Sequence, residues 1–372
     1  MPYVLKHSFD PDFDHLHLKP KDNDGERVDH FNLGYAQNVR KGHVLAEWEE
    51  VSPRQAAALD GRFIFKDKHF PAGANCFVHP KNPDKLLAAA DGYVFYLDGK
   101  ITVKSELNVR GGVDFRTGNI DFVADVVVHG PVRSGFSVSG RNVQVKDVVE
   151  AAEVKASGNI DTEAGFKGSG SGLLEAGDKI KVSFCENAQL RSGGNIVVRH
   201  SCLHCSIYCG GSLAVQGALM GGDIYSRGLV YVGDVLGGGL GVETRLVLGY
   251  APKLFLEAER LDENLREVLR RLSSHRPGKG TKSPGRDGKS DDSAALAQRF
   301  KTLLQAKREL WTNVCPVESI GSCRVVVPGE VRPGVEISIG EAFLRIDRTM
   351  RNVVFLRRDK DIVVASPALQ GR

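Results

Sequence analysis

A short repeat between residues 120 and 232 constrains the fold more than any other feature of the sequence. Seven times, an aliphatic residue follows a glycine-rich corner: Ile120, Val143, Ile160, Ile180, Ile196, Leu213 and Val230. The spacings between them are 23, 17, 20, 16, 17 and 17 residues. Two positions after each stands a second residue: Phe122, Val145, Thr162, Val182, Val198, Val215 and Val232. All of these are apolar except the β-branched threonine, and this period-two alternation predicts strands with one buried face.

A second column of aliphatic residues precedes the first by six positions. Its members are Val154, Leu174, Leu190, Ile207 and Ile224. Two positions after each of them the residue is small: Ala156, Ala176, Ser192, Cys209 and Ser226. Each repeat therefore holds two short strands and a tight corner, such as residues 192–195. Gly and Asn at the corners tolerate the positive φ that tight turns require.

These repeats predict a right-handed parallel β-helix over residues 113–250. A coil of about 17 residues cannot bury its own apolar face, but coils stacked ~4.8 Å apart can. Seven or eight turns would span on the order of 35–40 Å. A left-handed hexapeptide helix ranks lower, because it would repeat its aliphatic residues every six positions. A propeller does not fit, because its units are about 40 residues long.

The segment before the repeat, residues 1–112, is expected to form a mixed α/β domain. Strands are predicted at 15–19, 44–48 and 93–97, and a helix at 53–59 with Ser52 as its N-cap. Residues 38–46 resemble the turn of a barrel-sandwich domain of the biotinyl or lipoyl carrier type. No lysine stands in a convincing modification context, so the similarity implies a fold only.

Residues 251–315 change to helical periodicity and predict an antiparallel coiled-coil hairpin. In the first helix, apolar residues step alternately by four and three positions: Leu254, Ala258, Leu261, Leu265, Val268 and Leu272. The second helix repeats these steps with one polar member: Leu296, Phe300, Leu303, Lys307, Leu310 and Val314. A flexible basic link, residues 274–291, joins the two helices. Residues 316–372 are expected to form strands at 323–327, 335–339, 343–346, 353–356 and 362–364.

The stretch from Ser273 to Ser290, which contains most of this link, carries a net charge of +4, equal to that of the whole chain. Its cations are the candidate partner-binding residues Arg276, Lys279, Lys282, Arg286 and Lys289, set against Asp287. No aromatic residue lies between them, so we expect no specific nucleic-acid binding, and a solvated hairpin tip is the alternative. The sequence has no run of 18 apolar residues and no export signal, which predicts a cytoplasmic protein with reduced thiols.

The region from His200 to Cys209 is the strongest chemical candidate. Cys202, Cys205 and Cys209 lie there with two histidines, and Cys185 one turn earlier could add a ligand for zinc or an iron–sulfur cluster. The alternative is packing: position 209 belongs to the small-residue column, and buried free cysteines are common. Because no second matched cysteine pair follows, packing is preferred, and no metal or cofactor is predicted.

No catalytic residues are predicted either. Enzymes that cleave polysaccharides on a β-helix need clustered carboxylates on one outer ladder, whereas Asp121, Asp161 and Asp178 fall at different offsets in their repeats. No phosphate-binding loop is present in a strand-to-helix context.

The order of four segments along the chain resembles the flagellar assembly protein A family. They are residues 114–122 (DFRTGNIDF), residues 186–222 with their Glu-Asn-Ala and Gly-Gly motifs, residues 241–249 and residues 332–340 (RPGVEISIG). The resemblance covers residues 13–365. It implies a bacterial cytoplasmic protein of flagellar assembly, with a solenoid similar to that of polymer-forming bactofilins and no established catalytic residues.

We therefore expect a non-catalytic scaffold that associates with itself and with flagellar or cell-pole assembly proteins. The alternatives are an adaptor that docks a signalling partner, a carbohydrate-active β-helix enzyme and a metal-binding protein.

Overall fold

The structure is a computed structural model that describes residues 2–15, 18, 31–239, 241–274, 288–312, 314, 316 and 318–366, with the backbone alone at 288–293 and 319. The chain divides into two compact units, Met1–Cys205 and Ser206–Arg372. The fold is mainly β, as the sequence predicted. Its described helices are α1 (Pro53–Ala56), α2 (Pro252–Ser274) and α3 (Gly288–Thr312), with short 3-10 helices at Gly61–Phe63 and Glu318–Ser322.

The first unit begins with eight short strands. They are β1 (Tyr3–His7), β2 (Asn38–Val39), β3 (Val44–Glu50), β4 (Ile64–Phe65), β5 (Cys76–Val78), β6 (Lys85–Ala88), β7 (Gly92–Leu97) and β8 (Lys100–Lys104). They form two antiparallel sheets, in the orders β4-β1-β3-β6-β5 and β2-β7-β8. Buried residues from both sheets, such as Leu45 and Ile101, share one core. The strands predicted at 44–48 and 93–97 are confirmed.

Helix α1 is shorter than predicted but begins where the sequence indicated. Ser52 is its N-cap, and the Ser52 side chain and Gln55 form a reciprocal capping box. The strand predicted at 15–19 is wrong at its described positions. His15 lies in a turn and its ring meets that of Tyr35 edge-on at 5.6 Å, while residue 18 has no strand partner.

A parallel β-solenoid follows in the same unit. Its strands are β9 (Glu106–Val109), β10 (Ile120–Asp121), β11 (Asp125–Val128), β12 (Ser137–Gly140), β13 (Val143–Val145), β14 (Val148–Glu150), β15 (Glu153–Ala156), β16 (Ile160–Thr162), β17 (Gly165–Ala176), β18 (Ile180–Val182), β19 (Cys185–Ser192), β20 (Ile196–Val198) and β21 (Cys202–Leu203). Strands of successive turns pair in parallel, and they form three ladders. Here a turn of the solenoid is called a rung.

The first ladder confirms most of the predicted anchor column. It runs β9-β11-β13-β16-β18-β20, and Val143, Ile160, Ile180 and Ile196 lie in register. Ile120 was placed in this column wrongly. Val126, 17 residues before Val143, is the true member.

The second ladder runs β10-β12-β15-β17-β19, and it contains Ile120, which does not belong to the first ladder. Ile120 pairs with Val138, and Val138 pairs with Val154. Val154, Leu174 and Leu190 then continue in register, as predicted. The small column of Ala156, Ala176 and Ser192 is confirmed beside them.

The third ladder was not predicted from the sequence. Its inward residues are Val113, Val132, Val149, Phe166, Cys185 and Cys202. Strands β17 and β19 each bend through a corner, so one strand serves both the second and the third ladder. Each complete rung therefore has three sides instead of the two predicted.

The corners between the ladders depend on backbone conformation. Ala151, Asn187 and His204 have φ of 35°, 47° and 51°, in the left-handed region that few non-glycine residues adopt. At another corner the glycines stack directly. A Cβ on Gly193 would lie 2.1 Å from the carbonyl oxygen of Gly177, so no side chain fits there.

The second unit contains β22 (Ser206–Cys209), β23 (Leu213–Val215), β24 (Ala218–Met220), β25 (Gly222–Ser226), β26 (Val230–Val232), β27 (Val235–Leu236), β28 (Thr244–Leu248), β29 (Arg324–Val331), β30 (Val335–Ile339), β31 (Ala342–Arg345), β32 (Met350–Arg358) and β33 (Asp361–Ala365). The five strands predicted after residue 316 are all present. Strands β29 and β30 pair in parallel with β26 and β28, so they extend the solenoid of this unit. The remaining pairs, β30-β31, β29-β32 and β32-β33, are antiparallel.

Helices α2 and α3 interrupt the solenoid between β28 and β29. Phe255 near the start of α2 meets Trp311 near the end of α3, with ring centroids 6.3 Å apart. Lys307, the polar member of the predicted seam, forms an ion pair with Asp262 of α2. Coiled-coil packing between the helices stays a prediction. Most of the basic link lies outside the described residues.

Candidate functional site

Three cysteines converge inside the first unit. Cys185 and Cys202 are register partners on the parallel strands β19 and β21 of the third ladder. Cys205 follows the corner at His204. The turn of the backbone at this corner directs the Cys205 side chain toward Cys185 and Cys202. The three sulfur atoms all lie within 4.8 Å of one another. We call this group the thiol cluster.

The thiol cluster is sealed from solvent. Cys185 and Cys202 are 0% exposed, and Cys205 is 1% exposed. The Cys205 thiol also lies 3.3 Å from the carbonyl oxygen of Leu203. None of the three cysteines forms a disulfide within the described part of the chain. The cluster thus brings three sulfur donors together in an interior from which water is excluded.

Contact among the thiols polarises them. Hydrogen bonds from Cys185 and Cys202 lower the pKa of Cys205 to about 4, against the opposing effect of burial. The pKa of Cys202 is raised well above its usual range, because its thiol hydrogen-bonds Cys185 and Cys205 and is desolvated. The pKa of Cys185 is also raised: a hydrogen bond from Cys202 lowers it, but the bond to Cys205 and burial outweigh that effect. Of the three thiols, only Cys205 therefore has its pKa lowered, because the other two thiols hydrogen-bond to it.

Two predictions about this region are refined by the structure. Cys209 lies outside the thiol cluster and pairs in register with Ser226, which confirms its place in the small-residue column. His200 and His204 are exposed, so neither ring joins the sulfur atoms. The 17-residue spacing from Cys185 to Cys202 equals the solenoid period, and this signal could have identified the shared ladder.

The predicted partner-binding cations cannot be placed as a site. Arg276, Lys279, Lys282 and Arg286 lie outside the described residues. Lys289 falls in the first turn of α3, where only the backbone is described. The basic link stays a prediction.

The outer wall of the first unit pairs opposite charges across rungs. Arg141 donates two hydrogen bonds to Asp125, at 2.9 and 2.7 Å. Lys181 lies 3.1 Å from Asp161. Both are ion pairs between partly exposed side chains on the outer surface. Asp121 has no such ion pair with the residues that the structure describes and accepts a hydrogen bond from the Ser139 hydroxyl at 2.5 Å. The aspartates considered from the sequence therefore do not converge on a shared site.

The first rung of the solenoid is covered by the preceding sheets. Asn38 of β2 donates to the carbonyl oxygen of Asp121 at 2.8 Å and accepts from the backbone N–H of Val123 at 3.3 Å. The backbone N–H of Asn119 donates to the carbonyl oxygen of Phe31 at 2.6 Å. These contacts occupy polar backbone groups that an uncovered rung would present to another chain.

In the second unit, aromatic side chains join helix α2 to the solenoid wall. Tyr208 and Tyr225, register partners on β22 and β25, stack with ring centroids 5.0 Å apart. Phe255 of α2 stacks on Tyr225 at 4.3 Å. The Tyr208 hydroxyl also hydrogen-bonds Glu259 of α2. The helix is thus anchored to the wall by stacking and by a hydrogen bond.

Comparison with known proteins identifies the solenoid. The family model described as Flagellar Assembly Protein A beta solenoid domain matches residues 105–362, more than half of the chain. No curated protein and no solved structure matches. Within the described residues, no helix is both long and apolar enough to cross a membrane.

Proposed function

Because the chain belongs to the flagellar assembly protein A family, we propose that it acts in flagellar assembly as a non-catalytic, cytoplasmic scaffold. The family match over residues 105–362 is the observation that carries the proposal. The described architecture supports it, because the inward residues of the ladders outside the thiol cluster are packing residues, and Asp125 and Asp161 of the wall form ion pairs. Polysaccharide cleavage would instead need two carboxylates facing one substrate bond.

A scaffold of this kind needs a rigid wall and an element that reaches partners. The stacked rungs supply the wall, and the Tyr208–Tyr225–Phe255 stack fixes α2 against it. Helices α2 and α3 then lead away toward the basic link. We assign the docking of flagellar or cell-pole assembly proteins to this helix pair and to the link cations.

Self-association is assigned to the same helix pair. Rung-on-rung stacking is disfavoured, because Asn38 and Phe31 hydrogen-bond backbone groups of the first rung and the strands that end the solenoid of the second unit pair into antiparallel hairpins. On the helix pair, Leu269 and Trp311 are 48% and 45% exposed. The predicted seam residues of α3 that have described side chains are only half-buried. A second copy would cover these apolar groups by completing a four-helix arrangement.

Deletion of the gene in the source bacterium tests the function. We expect cells without flagella, or with fewer, and recovery when the full chain is restored. A chain with Leu269→Glu on the helix pair should restore flagella poorly. The matched control is Leu97→Glu, since Leu97 is also exposed but belongs to β7 of the first unit. Normal flagellation in the deletion strain would refute the proposal.

A further inference from the structure

The thiol cluster replaces ordinary packing residues at three converging positions. Earlier members of the third ladder are Val149 and Phe166, and the cysteines occupy the next two rungs. Cys205 comes after the positive-φ corner residue, as Ala188 does one period earlier. A single buried cysteine is an ordinary small hydrophobe. Three sulfur atoms in mutual contact form a donor set that thiophilic cations prefer.

We propose that Cys185, Cys202 and Cys205 bind one soft cation, Zn²⁺ or Cu⁺, through their three sulfur atoms. This site is independent of the proposed role in flagellar assembly.

The geometry fits such a cation. A Zn–S bond is about 2.3 Å, so sulfur atoms around a tetrahedral zinc lie roughly 3.8 Å apart. The three Sγ atoms are within 4.8 Å of one another, so a contraction of at most about 1 Å by side-chain rotation closes the site. Two donors come from a Cys-x-x-Cys segment and the third from the rung before it.

The ligand chemistry sets what binding does. Cysteine binds metals as the thiolate, so protons that the thiols share in the free cluster are released as the cation enters. Three thiolates around Zn²⁺ leave a net charge of −1. Around Cu⁺ the net charge is −2, or −1 if one sulfur keeps its proton. Either cation cross-links two consecutive rungs.

Metal analysis of the full chain, purified without oxygen and without added chelator, tests the site. Samples are exchanged against Zn²⁺ in one arm and Cu⁺ in the other, and bound metal is counted after desalting. We expect about one ion per chain, held tightly enough to survive desalting. The arm that reaches this stoichiometry identifies the cation.

Variants connect the metal to these sulfur atoms. Cys202→Ser and Cys205→Ser should each lower the bound metal at least about tenfold. Cys209→Ser is the matched control, because Cys209 is equally buried but lies outside the cluster, and it should retain the metal. Cobalt substitution of the unmutated chain provides a second measurement that does not depend on the variants' folding. Thiolate-to-cobalt charge-transfer absorption supports the site.

Metal below about one tenth of an ion per chain in both arms, together with no charge-transfer band, would overturn the proposal. Equal metal loss in Cys202→Ser and Cys209→Ser would overturn it as well.

Discussion

Replacing Ile180 with alanine tests the solenoid register most sharply. Ile180 is fully buried, between Ile160 of the preceding rung and Ile196 of the following one. The substitution removes three carbon atoms, worth about 2.4 kcal/mol at ~0.8 kcal/mol each. It also leaves a cavity that cannot collapse freely, because backbone hydrogen bonds hold the rungs ~4.8 Å apart. We expect a total loss of about 3–4 kcal/mol, within the range of such substitutions in other proteins.

The assay is native-state hydrogen exchange, because a chain of two compact units need not unfold in one step. In Ile180→Ala, the free energy of opening at the amides of β16, β18 and β20 should fall by about 3–4 kcal/mol. The control is Lys181→Ala on the same strand, where the side chain faces outward to Asp161. That change removes a surface ion pair and should cost no more than about 1 kcal/mol. Equal losses for the two variants, or less than about 1 kcal/mol for Ile180→Ala, would refute the register.

Two further predictions concern a corner and the wall. Asn187, at φ 47°, tolerates glycine, but Asn187→Val should lower the free energy of opening at the amides of β19 by about 1–2 kcal/mol. Native-state hydrogen exchange measures this loss, with Asn187→Gly as control. Equal protection in the two variants would contradict the corner assignment. The hydrogen bond from Arg141, then that from Asn142, hold the pKa of Asp125 below its ordinary 3.8, so its stabilising contribution is present above that value and is lost as pH falls through the lowered pKa. In Asp125→Asn, stability should therefore fall less as the pH is lowered through this range, as measured by unfolding at a series of pH values. An unchanged pH profile would contradict the stabilising role of the Asp125 carboxylate.

The parts of the solenoid that could be predicted are those with uniform chemistry. Val143, Ile160, Ile180 and Ile196 are all β-branched aliphatics near one period, so the column is visible in the sequence. Ile120 was misplaced because it has the same chemistry but lies 23 residues from Val143, and only backbone pairing assigns it to another ladder.

The third ladder was hidden for a different reason. Its members change from valine through phenylalanine to cysteine, so no single residue type marks the column. The corner beside it is also poorly marked, because Ala151 and His204 adopt positive φ although neither is glycine or asparagine. The thiol cluster was only half predictable as a result. The sequence grouped Cys185, Cys202, Cys205 and Cys209, but the backbone at His204 brings together the first three and leaves Cys209 in another column.

Sedimentation velocity on the full chain over a wide range of concentrations tests the proposed scaffold most directly. The account predicts a discrete dimer that dissociates on dilution, and a shift to monomer when Leu269→Glu and Trp311→Ala are combined. Leu97→Glu should leave the dimer intact. A sharp monomer peak at every concentration would contradict self-association through the helix pair and would favour an adaptor. A heavy distribution that keeps growing with concentration would contradict the claim that solenoid ends do not stack on one another.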